Sequence, residues 1–502
     1  MALRWLFMWL LLSAILSGCG PICEGTTGSC LDLRVERSGS AITGEALTAW
    51  ILGTDLTGAP IRVAGTIPNS VSLPTNVALI PPPYLQEVSR VSAQILGDSQ
   101  ALALTGRTSL RWPTGEHIQA SVSLAVPSLA FTKTADLRVG EAPSSVALFD
   151  ANQDGKLDLA VASSVPSFGS RMDMVSLLLG QGNGSFGSPQ KLAELPVLTV
   201  ISNLIAADLN GDGLTDLAYA DWSFANVYLL LGQRDGTFQP VKQLRSSVAN
   251  PGTLVARDLD GDKQIDLIIE SYTGSIGVMW NQGDANFSTS TNLITGSEVN
   301  VPDPDSFAVE DLNSDGLPDV VSRAASNDSL LTWMNKGGRT FGSPATVKVD
   351  FFRSDITLSF TVQDFDGDTV PDLLVGGKTF AKGDWVGFLK GDGRGQFAEA
   401  NQRRVSYDPQ WLSGPDLNDD LIPDLCAVGS SAAASDAPLH LALGNGSGGF
   451  QENSCGSCQL PAGTTSVTAN DLDGDQKLDL LILTARTGSS TGSVIVLRNV
   501  SP

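Results

Sequence analysis

Short apolar runs dominate the chain, and few of them keep helical spacing. From about residue 145 they recur in a fixed order. One apolar stretch (145–148) leads into an Asp-rich segment; a second (159–162, or 267–269 further on) follows it. A third comes next, at 175–179, 227–231 and 494–497. That third run leads into a glycine-rich turn closed by an aromatic, at Phe186, Phe238, Phe341, Phe397 and Phe450. A fourth segment continues to the next unit. Short apolar runs bounded by Gly, Asp, Asn and Ser predict strands. Four strands in ~50 residues predict one blade of a β-propeller. The glycines suit hairpin turns needing positive φ, and the aromatic is expected to plug the gap between blades.

The Asp-rich segments number the units. They begin at Asp150, Asp208, Asp258, Asp311, Asp364, Asp416 and Asp471, 50 to 58 residues apart. Each is a nine-residue loop with Asp at positions 1, 5 and 9. Position 5 is Asp154, Asp212, Asp262, Asp315, Asp368, Asp420 and Asp475; position 9 is Asp158, Asp216, Asp266, Asp319, Asp372, Asp424 and Asp479. Position 3 is Asn152, Asn210, Asp260, Asn313, Asp366, Asn418 and Asp473. Calcium takes six to eight oxygens, and a tight turn can supply them from side chains at 1, 3, 5 and 9 and a backbone carbonyl at 7. The position-7 residues are Lys156, Leu214, Gln264, Leu317, Val370, Ile422 and Lys477. An EF-hand would need Glu at position 12 and flanking helices; here position 12 is apolar, as at Val161 and Ile269, and strands flank the loop. Position 6 is glycine at Gly155, Gly213 and Gly316 but Lys263, Thr369, Leu421 and Gln476 elsewhere, which questions the affinity of those four loops.

Seven such loops in register, each followed by the same strands and turn, resemble the FG-GAP or VCBS repeat family, which includes the integrin α-chain propeller. The resemblance spans about residues 129–502. It implies an all-β chain whose seven-bladed propeller binds calcium as a staple of its turns; ahead of it, alternation such as that at 31–36 and 118–124 suggests six to eight short strands and a small β-sandwich-like domain. The last repeat stops after its third strand. The segment 131–140 reads like the piece that normally follows the blade Phe, so it is expected to complete the last blade and close the ring.

Charge changes the picture next. The chain has 54 Asp+Glu against 31 Lys+Arg, net −23, which argues against nucleic acid and anionic membrane surfaces as partners. The loops hold 24 of the acidic residues, so seven bound Ca²⁺ would bring the net charge to about −9.

The first residues, MALRWLFMWLLLSAILSGCG, carry Arg4 and a short apolar core, as in a signal peptide. The sequence LSGC (16–19) resembles a bacterial lipobox, which implies lipidation of Cys19 and a lipid-anchored protein of the cell envelope, at the outer membrane. The expected domains are a lipoprotein signal (1–18), a lipidated linker (19–30), the β-sandwich-like unit (31–128) and the propeller (129–502). Cys23 with Cys30 and Cys455 with Cys458 read as two small disulfides, and Cys426 as a buried free thiol.

Catalytic motifs are scarce. The two histidines, His117 and His440, fall in separate units, and GSSTG (488–492) sits between strands rather than at a strand–helix elbow. The expectation is a monomeric, non-catalytic adhesion module for an extracellular protein or glycan, touching the membrane only through its lipid. A polysaccharide-active, lyase-like enzyme and an envelope scaffold without a soluble ligand are the alternatives. In the resembling integrin propellers partners bind the face opposite the calcium loops. The loops between second and third strands therefore nominate Trp222, Tyr272 and Trp385 as partner-binding residues, with Phe168 and Phe224 beside them.

Overall fold

Seven four-stranded antiparallel sheets follow one another from residue 129 onward. The computed structural model describes strands between residues 30 and 124. From 129 to 501 it describes all residues except 141, 168–169, 195–200, 295–306, 325–328, 350–357, 380–382, 431–438, 454–463 and 485–491. The expectations for Cys19, Cys23, Cys455, Cys458, Phe168 and most of GSSTG lie outside the described residues.

Blade 1 is Ala142–Phe149, Asp158–Ser167, Ser170–Leu178 and Gln190–Glu194. Blade 2 is Ile201–Ala207, Asp216–Asp221, Asn226–Leu230 and Lys242–Arg245. Blade 3 is Pro251–Arg257, Asp266–Ser271, Ile276–Trp280 and Thr289–Ile294. Blade 4 is Phe307–Glu310, Asp319–Arg323, Ser329–Trp333 and Ala345–Lys348. Blade 5 is Leu358–Gln363, Asp372–Thr379, Gly383–Gly391 and Phe397–Val405. Blade 6 is Asp408–Ser413, Leu425–Ser430, Leu439–Gly444 and Phe450–Asn453. First strands of successive blades touch one another from blade 1 through blade 6, so they line the axis.

The second strands of blades 2, 3 and 7 are buried at every residue. A blade clamped between two others has no solvent face, which is why these runs are continuously apolar rather than alternating. The core is accordingly divided into seven apolar clusters, one in each gap between neighbouring blades. All five turn aromatics lie against these clusters, as expected. Phe238 meets Phe149 edge-on at 6.3 Å, and Phe450 meets Phe365 at 5.9 Å.

Closure follows the sequence expectation. Blade 7 takes Thr464–Asn470, Asp479–Thr484 and Ser493–Asn499 from the end of the chain and its outer strand, Phe131–Leu137, from before blade 1. Val494 pairs with Leu137 and Asn499 with Phe131. An apolar cluster containing Val139, Leu159, Leu481 and Val496 then fills the gap between blades 7 and 1. Blade 7 thereby has four strands, like the other six.

Before the propeller, seven strands form two sheets. In one, Cys30–Arg37 lies between Thr75–Leu79 and, in parallel, His117–Leu124. In the other, the order is Pro60–Ser72, Thr43–Thr54, Glu87–Leu96, Leu102–Pro113.

Candidate metal loops and the opposite face

Every Asp loop joins the first strand of a blade to its second. The backbone of all seven is left-handed at two positions. At position 4 the φ values run from 56° at Asp419 to 81° at Gly261. At position 6 they are 78°, 80° and 90° at Gly155, Gly213 and Gly316, and 68°, 70°, 71° and 68° at Lys263, Thr369, Leu421 and Gln476. The four loops without glycine at position 6 thus keep the same turn and carry the strain of a side chain there.

Hydrogen bonds explain why the turn persists. The position-1 carboxylate accepts the position-6 N–H in every loop, at 2.8 to 3.0 Å. The position-5 carboxylate accepts the N–H of position 7 at 2.8 to 3.0 Å. These side-chain-to-backbone turns hold the carboxylates around one centre.

Position 9 does a second job. All seven position-9 aspartates are fully buried. One oxygen accepts the position-2 N–H. The other accepts an N–H at the end of the third strand, from Gly180, Gly232, Asn281, Asn335, Gly391, Gly444 or Asn499. Each carboxylate therefore ties a loop to a strand while keeping lone pairs for a cation. Burial first, and the neighbouring loop carboxylates next to it, push Asp216, Asp266, Asp319 and Asp479 up to about 6, against the pull of the donated N–H groups. Asp372 is pushed up to about 7.

Asn281, Asn335 and Asn499 add links that the sequence reading missed. Their Nδ2 groups donate to Leu209, Leu259 and Leu417, the position-2 carbonyls of the preceding blades' loops, at 2.7, 2.7 and 2.9 Å. Such contacts place the loops side by side on one face of the ring. The signal was hidden because the third strand ends at a different distance from each loop.

The residues fit a hard divalent cation. In loops 3, 5 and 7, carboxylate oxygens of Asp258, Asp260 and Asp262, of Asp364, Asp366 and Asp372, and of Asp471, Asp473 and Asp479 lie within 4.8 Å of one another. An all-oxygen, multiply anionic set of this kind suits calcium.

The opposite ends of the strands carry the second-to-third turns. Trp222 and Phe224 are 41% and 46% exposed in the blade 2 turn. The half-buried Tyr272 of blade 3 lies against Trp222, ring centroids 6.2 Å apart. Trp385 is placed differently from the sequence expectation. It lies within the third strand of blade 5, paired with Gly377 and Arg404, and packs half-buried on the cluster between blades 4 and 5. In blade 1 the second and third strands likewise stay paired almost to the tip of their hairpin, with Ser167 opposite Ser170.

A cleft of about 700 Å³ opens between blades 5 and 6, lined by Tyr407, His440, Arg403, Glu452 and Asn401 among others. Tyr407 and His440 stack at 3.4 Å. Burial lowers the imidazole to about 4, so it is neutral at pH 7. Cys426 is the buried free thiol expected, and burial pushes it up to about 12.

The FG-GAP-like repeat family matches residues 150–219, 208–269, 258–322, 311–375 and 416–482, together more than half of the chain. No curated protein matches the sequence. Among solved structures, the chain is similar to an Agrocybe aegerita lectin described as recognising non-reducing terminal N-acetylglucosamine. The identity is 19%, the match covers 65% of this chain and 87% of that one, and the TM-score is 0.45. A Lactobacillus plantarum protein is 10% identical, with 84% and 98% coverage and a TM-score of 0.43. The Photorhabdus luminescens Tc holotoxin pore is 15% identical, with 92% of this chain and 19% of that one covered and a TM-score of 0.38.

Proposed function

Because the chain belongs to the FG-GAP-like repeat family, we propose that it is a non-catalytic, calcium-stabilised binding module, held at the bacterial cell envelope by lipid on Cys19. Its partner is an extracellular protein or glycan. The observation that carries this reading is the exposed Trp222 and Phe224, with half-buried Tyr272 against Trp222, on a closed ring and on the face away from the acidic loops. Aromatic side chains on a rigid scaffold supply contact area at low entropic cost. Calcium in the loops would be held by the carboxylates or carboxamides at positions 1, 3, 5 and 9 and the position-7 carbonyl. It supplies positive charge where three or four carboxylates crowd together, and so acts on stability and turn geometry.

A polysaccharide-active enzyme is the second reading, favoured by the cleft that gathers Tyr407, His440, Arg403 and Glu452. One experiment separates the two. The purified protein is screened against glycans and extracellular proteins, with and without calcium, alongside Trp222→Ala/Tyr272→Ala. Loss of binding in the double variant at unchanged melting temperature supports the module. Retained binding, or polysaccharide cleavage that fails in His440→Ala, overturns it.

A further inference from the structure

Three of the loops each have one cation of the chain itself set between two of their carboxylates. These are loops 3, 5 and 7, the three with Asp rather than Asn at position 3. Arg339 Nε lies 2.6 Å from Asp260 Oδ2, and its Nη2 lies 3.7 Å from Asp262. The Lys390 ammonium pairs with Asp366 and lies 2.7 Å from Asp368. The Arg498 guanidinium pairs with Asp473 and lies 3.6 Å from Asp475. In each case one side chain bridges positions 3 and 5. The position-3 carboxylates are 9%, 13% and 3% exposed, so the pairs are shielded from solvent on the aspartate side.

The origin of each cation shows that the arrangement is built. Lys390 and Arg498 occupy the same place in their blades, immediately before Gly391 and Asn499, whose N–H groups clamp the position-9 carboxylate. In blades 1, 2, 4 and 6 the residue at that place is Leu179, Leu231, Met334 or Leu443, and the loop has Asn at position 3. Blade 3 has Asp260 but Trp280 at that place. There Arg339 reaches across from blade 4 and lies over the Trp280 ring, 5.2 Å from its centroid. An additional carboxylate is thus matched by an additional cation by two different routes. Isolated acidic clusters give no reason for that correspondence.

We propose that Arg339, Lys390 and Arg498 are tethered counter-ions that neutralise loops 3, 5 and 7 in the absence of metal, and that calcium enters those loops only by displacing them. The inference rests on the calcium reading above. Loops 3, 5 and 7 then take metal only in exchange for a side chain. Those three are set to respond at higher calcium.

The test titrates calcium chloride into the purified full chain and into Lys390→Leu and Arg498→Leu, which install the residue type of the other blades, with calorimetric readout and melting curves in chelator. Each variant is expected to shift one weak site about tenfold tighter, the factor of roughly one lost charge–charge competition. Its melting temperature should fall in chelator and recover in calcium. The converse variant, Asn210→Asp/Leu231→Lys, should weaken one site although it adds a carboxylate. Unchanged or weaker binding in the Leu variants, with the parent binding calcium normally, overturns the counter-ion role alone. A variant that stays unfolded in millimolar calcium also overturns it, because metal should replace the missing charge. Absence of calcium binding in every protein overturns both this inference and the calcium reading.

Discussion

At the scale of single residues, the loops balance strain against charge. Thr369 and Lys263 are exposed, yet each sits in the left-handed region because its N–H must reach the position-1 carboxylate. A β-branched residue is least at ease there. Thr369→Gly is expected to raise stability by about 1 kcal/mol in urea unfolding, since Gly adopts that conformation without a Cβ penalty. The buried position-9 carboxylates make a pH prediction. Asp216, Asp266, Asp319, Asp372 and Asp479 have folded pKa values of about 6 to 7, above the ~3.9 of an unfolded Asp, so the folded state binds protons more tightly. In chelator, stability is therefore greatest below about pH 4 as far as these groups contribute, and it is lost as pH rises through 6 to 7. Calcium binds the ionised carboxylates, so it should flatten or reverse that trend in calorimetric scans from pH 4 to 8.

At the scale of the elements, a blade is a sheet held to its neighbours by apolar clusters and by a few polar links. Asn335 shows the latter. Its buried carboxamide donates to Leu259 and Pro318 carbonyls and accepts the Gly337 N–H. Asn335→Ala should cost about 2 kcal/mol in chemical denaturation, because it leaves buried carbonyls without donors at the joint between blades 3 and 4. Strand order and the Asp loops were legible in the sequence, since each is a local pattern within a few tens of residues. Trp385 was misplaced for the opposite reason. Its neighbourhood contains glycines and a charged pair that resemble a turn, yet strand pairing runs through Asp384 and Lys378.

At the scale of the molecule, stability depends on closure. Phe131–Leu137 joins residues from the two ends of the propeller segment in one sheet, and beside it Ala130 donates its N–H to Ser501 Oγ and accepts the Val500 N–H. A protein beginning at Ala142 should leave blade 7 with three strands. Its melting temperature should drop by many degrees, and light scattering should report aggregation through the exposed edge. An equally stable, monodisperse truncation would show that the ring does not rely on that strand.

The sequence by itself determined the strands, the number of blades, the nine-residue loops and the strand that closes the ring. These are repeated local patterns, and repetition makes a weak signal readable. Only the tertiary structure decided what meets each loop from elsewhere in the chain. The clamp on every position-9 carboxylate comes from 15 to 22 residues away, at an offset set by each blade's own hairpin. Arg339 comes from another blade, delivered over Trp280. The exposure of Trp222 and the burial of Trp385 likewise depend on where strands end, which pairing rather than composition fixes. Local chemistry writes the loops; strand pairing within blades 5 and 7, and packing between blades 3 and 4, bring cations to them.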